Sequence, residues 1–190
     1  VLTIAGGIAA IDAWTARIGL TGLAHGVASV GATGFVLMLA GLPFDAWSTF
    51  GVEARAAHFA RVASLEELVG LVEDPQWRAV PRLVLGGGSN VLFTGDYDGL
   101  VIKVEIMGIE VLETKRGQHR VRIGAGENWH ATVEHLLERA LPGLENLALI
   151  PGNVGAAPIQ NIGAYGVELA ERFESLSAYD SSSQVMVTLD

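Results

Sequence analysis

The chain has 190 residues, 50% of them hydrophobic and 17% charged, a balance that supplies a buried core for one or two small domains and excludes a disordered chain. Against 12 Lys and Arg stand 21 Asp and Glu, and the net charge of -9 argues against a broad interface with nucleic acid or an anionic lipid surface. The absence of cysteine excludes disulfides and thiolate metal sites and suits a reducing compartment.

Residues 1–43 read as a hydrophobic extension. From Ile18 to Leu42 no residue carries a formal charge, which is long enough for a bilayer span, but six glycines weaken that span. Gly22 and Gly26 have only a weak helix-packing spacing. Arg17 before the stretch and Asp45 after it would orient such a span N-terminus inside and carry the following domain out of the cell. An upstream extension is therefore the reading adopted, not a membrane anchor.

Downstream, Ser64-Leu65-Glu66-Glu67 has the form of a helix cap, and Leu65, Leu68, Val69 and Val72 recur at helical spacing until Pro75. Leu83-Val84-Leu85 is a strand that runs into Gly86-Gly87-Gly88-Ser89-Asn90. A second strand is expected at Val91-Leu92-Phe93 and, after a turn over 94–99, a third at Leu100-Val101-Ile102-Lys103-Val104. Alternation over 108–114 and 119–123 predicts a hairpin, and Trp129, Val133, Leu136, Leu137 and Ala140 predict a helix ended by Pro142-Gly143.

Two stretches carry chemistry. Consecutive glycines let successive backbone N–H groups point into one concavity, a nest that binds phosphate without a basic side chain. Gly86 to Asn90 is such a run, but no Gly-Lys-Ser/Thr follows and the glycines are contiguous, so it is neither a P-loop nor a dinucleotide fingerprint. The second stretch, 149–166, threads four glycines and two prolines through apolar residues and forms a rigid, shaped loop. Its polar contacts would come from backbone N–H groups and from Asn153, Gln160, Asn161 and Tyr165, which suits a flat, uncharged, hydrogen-bonding ligand such as a flavin ring. Each stretch taken alone also reads as a tight turn or a compact structural loop. His130 and His135 lie five apart, on different faces of the expected helix, so no metal site is assigned. Glu127 and Glu145 have no partner at chemical spacing and read as structural.

With Gly124-Ala125-Gly126-Glu127-Asn128-Trp129 and Pro142-Gly143-Leu144-Glu145-Asn146-Leu147, these stretches resemble the UDP-N-acetylenolpyruvoylglucosamine reductases of bacterial peptidoglycan synthesis. The resemblance begins near Trp47-Ser48-Thr49-Phe50-Gly51-Val52 and runs to the chain end, and Gly163-Ala164-Tyr165-Gly166 resembles the family's first subtype. It implies an α+β, two-subdomain FAD-binding fold of the vanillyl-alcohol oxidase type, incomplete at the C-terminus. The subdomains would be 44–104 and 105–190, with the substrate domain absent.

The same resemblance implies a cytoplasmic flavoenzyme in which NADPH reduces FAD and hydride passes to the enolpyruvyl ether of a UDP-sugar. Gly86, Gly87, Gly88, Ser89 and Asn90, followed by Val91 and Leu92, would cradle the FAD pyrophosphate. Gly124, Ala125, Gly126 and Asn128 would line the cofactor beside them. Ile150, Pro151, Gly152, Val154, Gly155, Ala156 and Ala157 would line the rest, together with Gln160, Asn161, Gly163, Ala164, Tyr165 and Gly166. The family's catalytic Arg after a Tyr, its Ser acid and its distant Glu have no counterparts before Asp190, so no catalytic residue and no metal ligand is assigned. Two other readings stay open: a non-catalytic FAD-binding remnant, and a flavin oxidase of the wider superfamily. The second loses ground because Ser89-Asn90, not a flavin-linking His, follows Gly88.

Overall fold

The computed structural model describes residues 54–190 and, of the preceding chain, only the backbone of two strands. Those two are β1 (Leu2–Gly7) and β2 (Leu37–Pro43). There follow β3 (Arg55–Val62), α1 (Leu65–Glu73), β4 (Arg82–Leu85), β5 (Tyr97–Val104), β6 (Ile109–Lys115), β7 (Gln118–Gly124) and α2 (Trp129–Glu138). The chain closes with β8 (Gly163–Ala164), β9 (Val167–Glu168), β10 (Phe173–Asp180) and β11 (Val185–Leu189), and short 3-10 turns fill much of 145–171. The fold is α+β.

One sheet has the order β2-β3-β5-β4, with β3, β5 and β4 parallel and β2 antiparallel to β3. Parallel neighbours need a crossover, and α1 lies on the one that leaves β3. Its cap is built as the sequence predicts: Ser64 Oγ accepts from Glu67 N–H at 3.1 Å. The Glu67 carboxylate, however, reaches one residue further back, accepting from Ala63 N–H at 2.7 Å. The buried side of α1 is Leu68 and Leu71, while Leu65, expected in that stripe, is exposed.

Both faces of β5 are covered, which is why its sequence is almost continuously apolar. Leu100, Ile102 and Val104 pack with Leu68, Leu71 and Trp77; on the other face Val101 packs with Phe59, Leu85 and Phe93. This corrects one expectation. Val91-Leu92-Phe93 is not a strand but an irregular segment. Phe93, 7% exposed, is drawn into the core against Phe59 and Val101, a burial that hydrophobic contact favours over extending the sheet.

The other large sheet has the order β11-β10-β1-β7-β6. The expected hairpin is present as β6 and β7, joined through Arg116 and Gly117, both at positive φ. α2 is capped by Asn128, whose Oδ1 accepts from Ala131 N–H at 2.9 Å. It buries Trp129, Thr132, Val133 and Leu136 and leaves Leu137 exposed. Ala140, expected in the helix, lies beyond its end at φ 56.

Two pieces of the N-terminal extension enter the sheets. β1 runs parallel to both β7 and β10 and joins them, and β2 borders β3. The candidate span 18–42 otherwise lies outside the described residues, and its last residues, 37–42, belong to β2. Among the described residues no helix is long and apolar enough to cross a membrane.

A part-buried hydrogen bond ties β10 to α1. Tyr179, 3% exposed, donates its hydroxyl to Glu73 Oε1 at 2.5 Å. Burial first, then the bond to the Glu73 carboxylate and its charge, pushes the phenol up to about 12. Because the folded value lies above the ordinary 10.0, the stabilisation is fully present below pH 10 and is lost as the pH rises toward 12. Tyr179→Phe is expected to lower stability by about 1 kcal/mol at pH 8, and urea titrations should show the gap to wild type narrowing above pH 10. A gap independent of pH would contradict the assignment.

Candidate functional site

The site grows from the end of β4, where Leu85 gives way to the glycine run. Gly88 takes φ 69, open to glycine at little cost. Gly87 is needed for a different reason: a Cβ there would lie 2.9 Å from Gly152 Cα and 2.8 Å from Asn153 Oδ1. Two loops far apart in sequence therefore touch through their backbones. Among the described residues, the backbone N–H groups of Gly87, Gly88, Ser89 and Asn90 donate to no acceptor. Gly88 is buried, Gly87 and Ser89 are half-buried and Asn90 is exposed, and such a run of four donors without protein partners fits an anion at the surface.

The turn at 124–129 holds the loop at 152–155 in place. Gly126 N–H donates to Ile106 O at 2.8 Å, Gly155 N–H to Ala125 O at 2.9 Å and Val154 N–H to Glu127 O at 2.9 Å. Trp129 N–H donates to Gly152 O at 3.0 Å, and Asn153 Nδ2 donates to Gly126 O at 2.8 Å. A Cβ on Gly155 would lie 2.7 Å from Ala125 Cβ, and one on Gly126 2.6 Å from the Glu105 carbonyl carbon. These glycines serve close packing. Glu127 and Glu145 are structural here, accepting from Gly108 N–H and Gly143 N–H at 2.7 Å each.

Between the loops lies a shallow cleft lined by Ser89, Trp129, Pro151, Gly152, Asn153, Ala156, Ala157, Gln160 and Ile162. None of these lining residues is ionisable. Trp129 forms a fixed wall, its Nε1 donating to Leu147 O at 2.7 Å. His130, turned from the cleft, accepts from Leu149 N–H at 3.3 Å through Nδ1.

Of the residues singled out from sequence, Ser89, Pro151, Gly152, Ala156, Ala157 and Gln160 meet in this cleft. Gly86 and Gly87 lie at its side, Gly86 against Asn153 and Ala156 and Gly87 against Gly152 and Asn153. Gly124 and Gly126 pack on 105–107, Ala125 and Val154 are buried, and Asn128 caps α2. Ile150 packs against the core of α2. Gly163 and Ala164 form β8, Gly166 turns at φ 79, and Tyr165 is 89% exposed at that turn. Asn161, at φ 40, uses its side chain locally: Nδ2 donates to Glu168 Oε2 at 2.8 Å and Oδ1 accepts from Ala170 N–H at 3.1 Å. Leu92 is exposed, and Val91 packs beside Phe93.

The sequence reading missed Trp129 and Ile162 as cleft residues and gave no role to Lys103. The signal for Lys103 was a single lysine in the apolar run 100–104. It is 8% exposed on β5 and donates through Nζ to Gly86 O. Burial lowers its pKa from the usual lysine value; Glu105 opposes that shift, and Arg61 adds to it.

Comparison with known proteins accords with this geometry. The family described as FAD binding domain matches residues 56–188. A UDP-N-acetylenolpyruvoylglucosamine reductase of Ralstonia nicotianae is 52% identical over 151 residues, covering 78% of this chain and 44% of that protein. One from Burkholderia mallei is 52% identical over 155 residues, covering 82% and 45%. The chain thus spans less than half the length of these curated relatives. The crystal structure of the Thermus caldophilus reductase of the same name superposes with a TM-score of 0.60 over 81% of this chain and 52% of that one, and at 24% identity this shows a shared fold.

The interlock makes a prediction about stability. Gly155→Val should cost about 1–3 kcal/mol in urea unfolding, because its side chain must displace Ala125. Gly95→Ala, with nothing within 4 Å of the added carbon, should stay within about 0.5 kcal/mol of wild type. Equal losses at both positions would refute the packing argument.

Proposed function

The chain belongs to the FAD binding domain family, and we propose that it is the part of a UDP-N-acetylenolpyruvoylglucosamine reductase that holds FAD. The observation that carries this reading is the row of partnerless backbone donors at Gly87 to Asn90, set against a cleft of uncharged polar and apolar groups. In an acidic chain such donors supply what a diphosphate needs without concentrating basic side chains. Gly86 to Asn90 would hold the pyrophosphate, with Val91 and Leu92 beyond. Ser89, Gly152, Ala156, Ala157 and Gln160 would line an adjoining part of the cofactor, with Trp129 behind them.

When bound, FAD supplies a centre that takes hydride from NADPH and gives it to the enolpyruvyl double bond of the UDP-sugar ether, forming UDP-N-acetylmuramate. The residues of this chain bind and orient. Two subdomains, 44–104 and 105–190, would meet where β5 passes into the loop before β6. NADPH and UDP-sugars as reactants make the cytoplasm the compartment.

The test is FAD binding by the purified chain, followed by flavin fluorescence and by retention of flavin absorbance after desalting. Gly87→Val is expected to weaken binding roughly tenfold or more, since the side chain would block both the loop contact and access to the N–H groups. The chain alone should not accelerate NADPH oxidation on addition of the enolpyruvyl ether, because no residue of the cleft delivers a proton. Equal flavin retention by wild type and Gly87→Val would overturn the assignment of the glycine run.

A further inference from the structure

Lys103 has no place in the binding scheme above, and its surroundings give it one. In the parallel register of the sheet it pairs with Leu85, the residue from which the glycine run departs, and with Arg61 on β3. Its neighbour Glu105 is engaged with Arg61, Nε to Oε2 at 2.8 Å. Lys103 itself forms no ion pair among the described residues and donates to a neutral carbonyl, that of Gly86. An ammonium has three protons to place, and a buried charge without a counter-charge is costly to keep. A strand otherwise built from Leu100, Val101, Ile102 and Val104 could be completed by an apolar residue at no such cost.

The contact with Gly86 also has a geometric consequence. A trans peptide is planar, with its C=O and N–H pointing in opposite directions. With the Gly86 carbonyl drawn toward Lys103, the N–H of Gly87 must point the other way, away from the Lys103 side chain.

We propose that Lys103 is the positioning residue of the anion nest: it fixes the first peptide of the glycine run and sets behind it a positive charge that no direct ion pair holds, so that the loop prefers a diphosphate-bearing ligand. This rests on the FAD reading and deepens it. The lowered pKa of Lys103 accords with a site in which no carboxylate compensates its burial in full.

The experiment compares FAD, ADP and riboflavin as ligands of the full 190-residue chain, with thermal unfolding of each ligand-free variant as the control for folding. Lys103→Met is expected to weaken FAD and ADP about tenfold while leaving riboflavin within about twofold, since only the first two carry the diphosphate. Lys103→Gln keeps a donor for the Gly86 carbonyl but not the charge, and should show the same selective loss. Lys103→Arg should recover part of it. Unchanged FAD and ADP affinity in Lys103→Met and Lys103→Gln, with wild type binding FAD, would overturn the role of Lys103 alone. An equal loss for all three ligands, or failure of both variants to fold, would reduce Lys103 to a structural residue and sink the proposal. Failure of wild type to bind either FAD or ADP would remove the FAD reading and this inference with it.

Discussion

The backbone contact among three turns is the constraint on which the rest of the molecule turns. Gly155 N–H binds Ala125 O, Val154 N–H binds Glu127 O, and Trp129 N–H binds Gly152 O, so the loop at 152–155 is laced to the turn at 124–129 along its whole length. That lacing leaves no room for side chains, which is why glycine occupies 126 and 155. That turn is itself fastened to the connection between β5 and β6, through Gly126 N–H to Ile106 O. The glycine run after β4 then touches the laced loop through Gly87. Tyr179 and Glu73 provide a second tie between the same parts, on α1 and β10.

How much of this was legible in the sequence depended on how local the cause was. Ser64 announces its helix because a cap acts within one turn, and it accepts the expected N–H bond, whereas the cap that Asn128 makes on α2 was not read from the sequence. The hairpin of β6 and β7 was readable for the same reason, since its partners are neighbours in the chain. Val91-Leu92-Phe93 was misread because its apolar content signals burial without saying against what; the answer, the distant Phe59 and Val101, is tertiary. Leu65 and Leu137 were assigned inward by period alone, and each falls at the margin of its helix's buried face. The strand β1 could not have been foreseen: it pairs in parallel with Val121–Gly124 and with Phe173–Ala178, and nothing in its short apolar sequence names such remote partners.

The candidate site was legible in its glycines and less so in its side chains. A glycine advertises a backbone requirement, but it does not say whether the requirement comes from a ligand or from neighbouring chain. Gly87, Gly126 and Gly155 answer to neighbouring chain, while the run they surround leaves its donors without acceptors. Amides invite the opposite error. Asn153 and Asn161 look available in sequence, yet each is used to hold its loop, by bonds to Gly126 O and to Glu168. Asn153 nonetheless stands on the cleft wall, as Gln160 and Ser89 do.

Charge explains why the site has this composition. The chain carries -9 overall, and several of its cations are engaged beside carboxylates on the surface: Arg120 with Glu174, Arg122 with Glu110, Lys115 with Glu113. Such pairs are screened and exert little field at a distance. A dianionic ligand approaching this surface is therefore met by short-range donors, not by a basic patch, and it must come within hydrogen-bond range before attraction outweighs the net repulsion. Short range demands exact placement of the backbone, and the placement comes from the lacing of 152–155 to 124–129 and from the Lys103 contact beneath Gly86. Lys103 differs from the surface cations in its low exposure, where the effective dielectric is lower and one charge acts more strongly. Rigidity and electrostatics are in this way one property of the proposed site: the packing that holds the glycine run also fixes the few dipoles and the one buried ammonium on which the proposed binding rests.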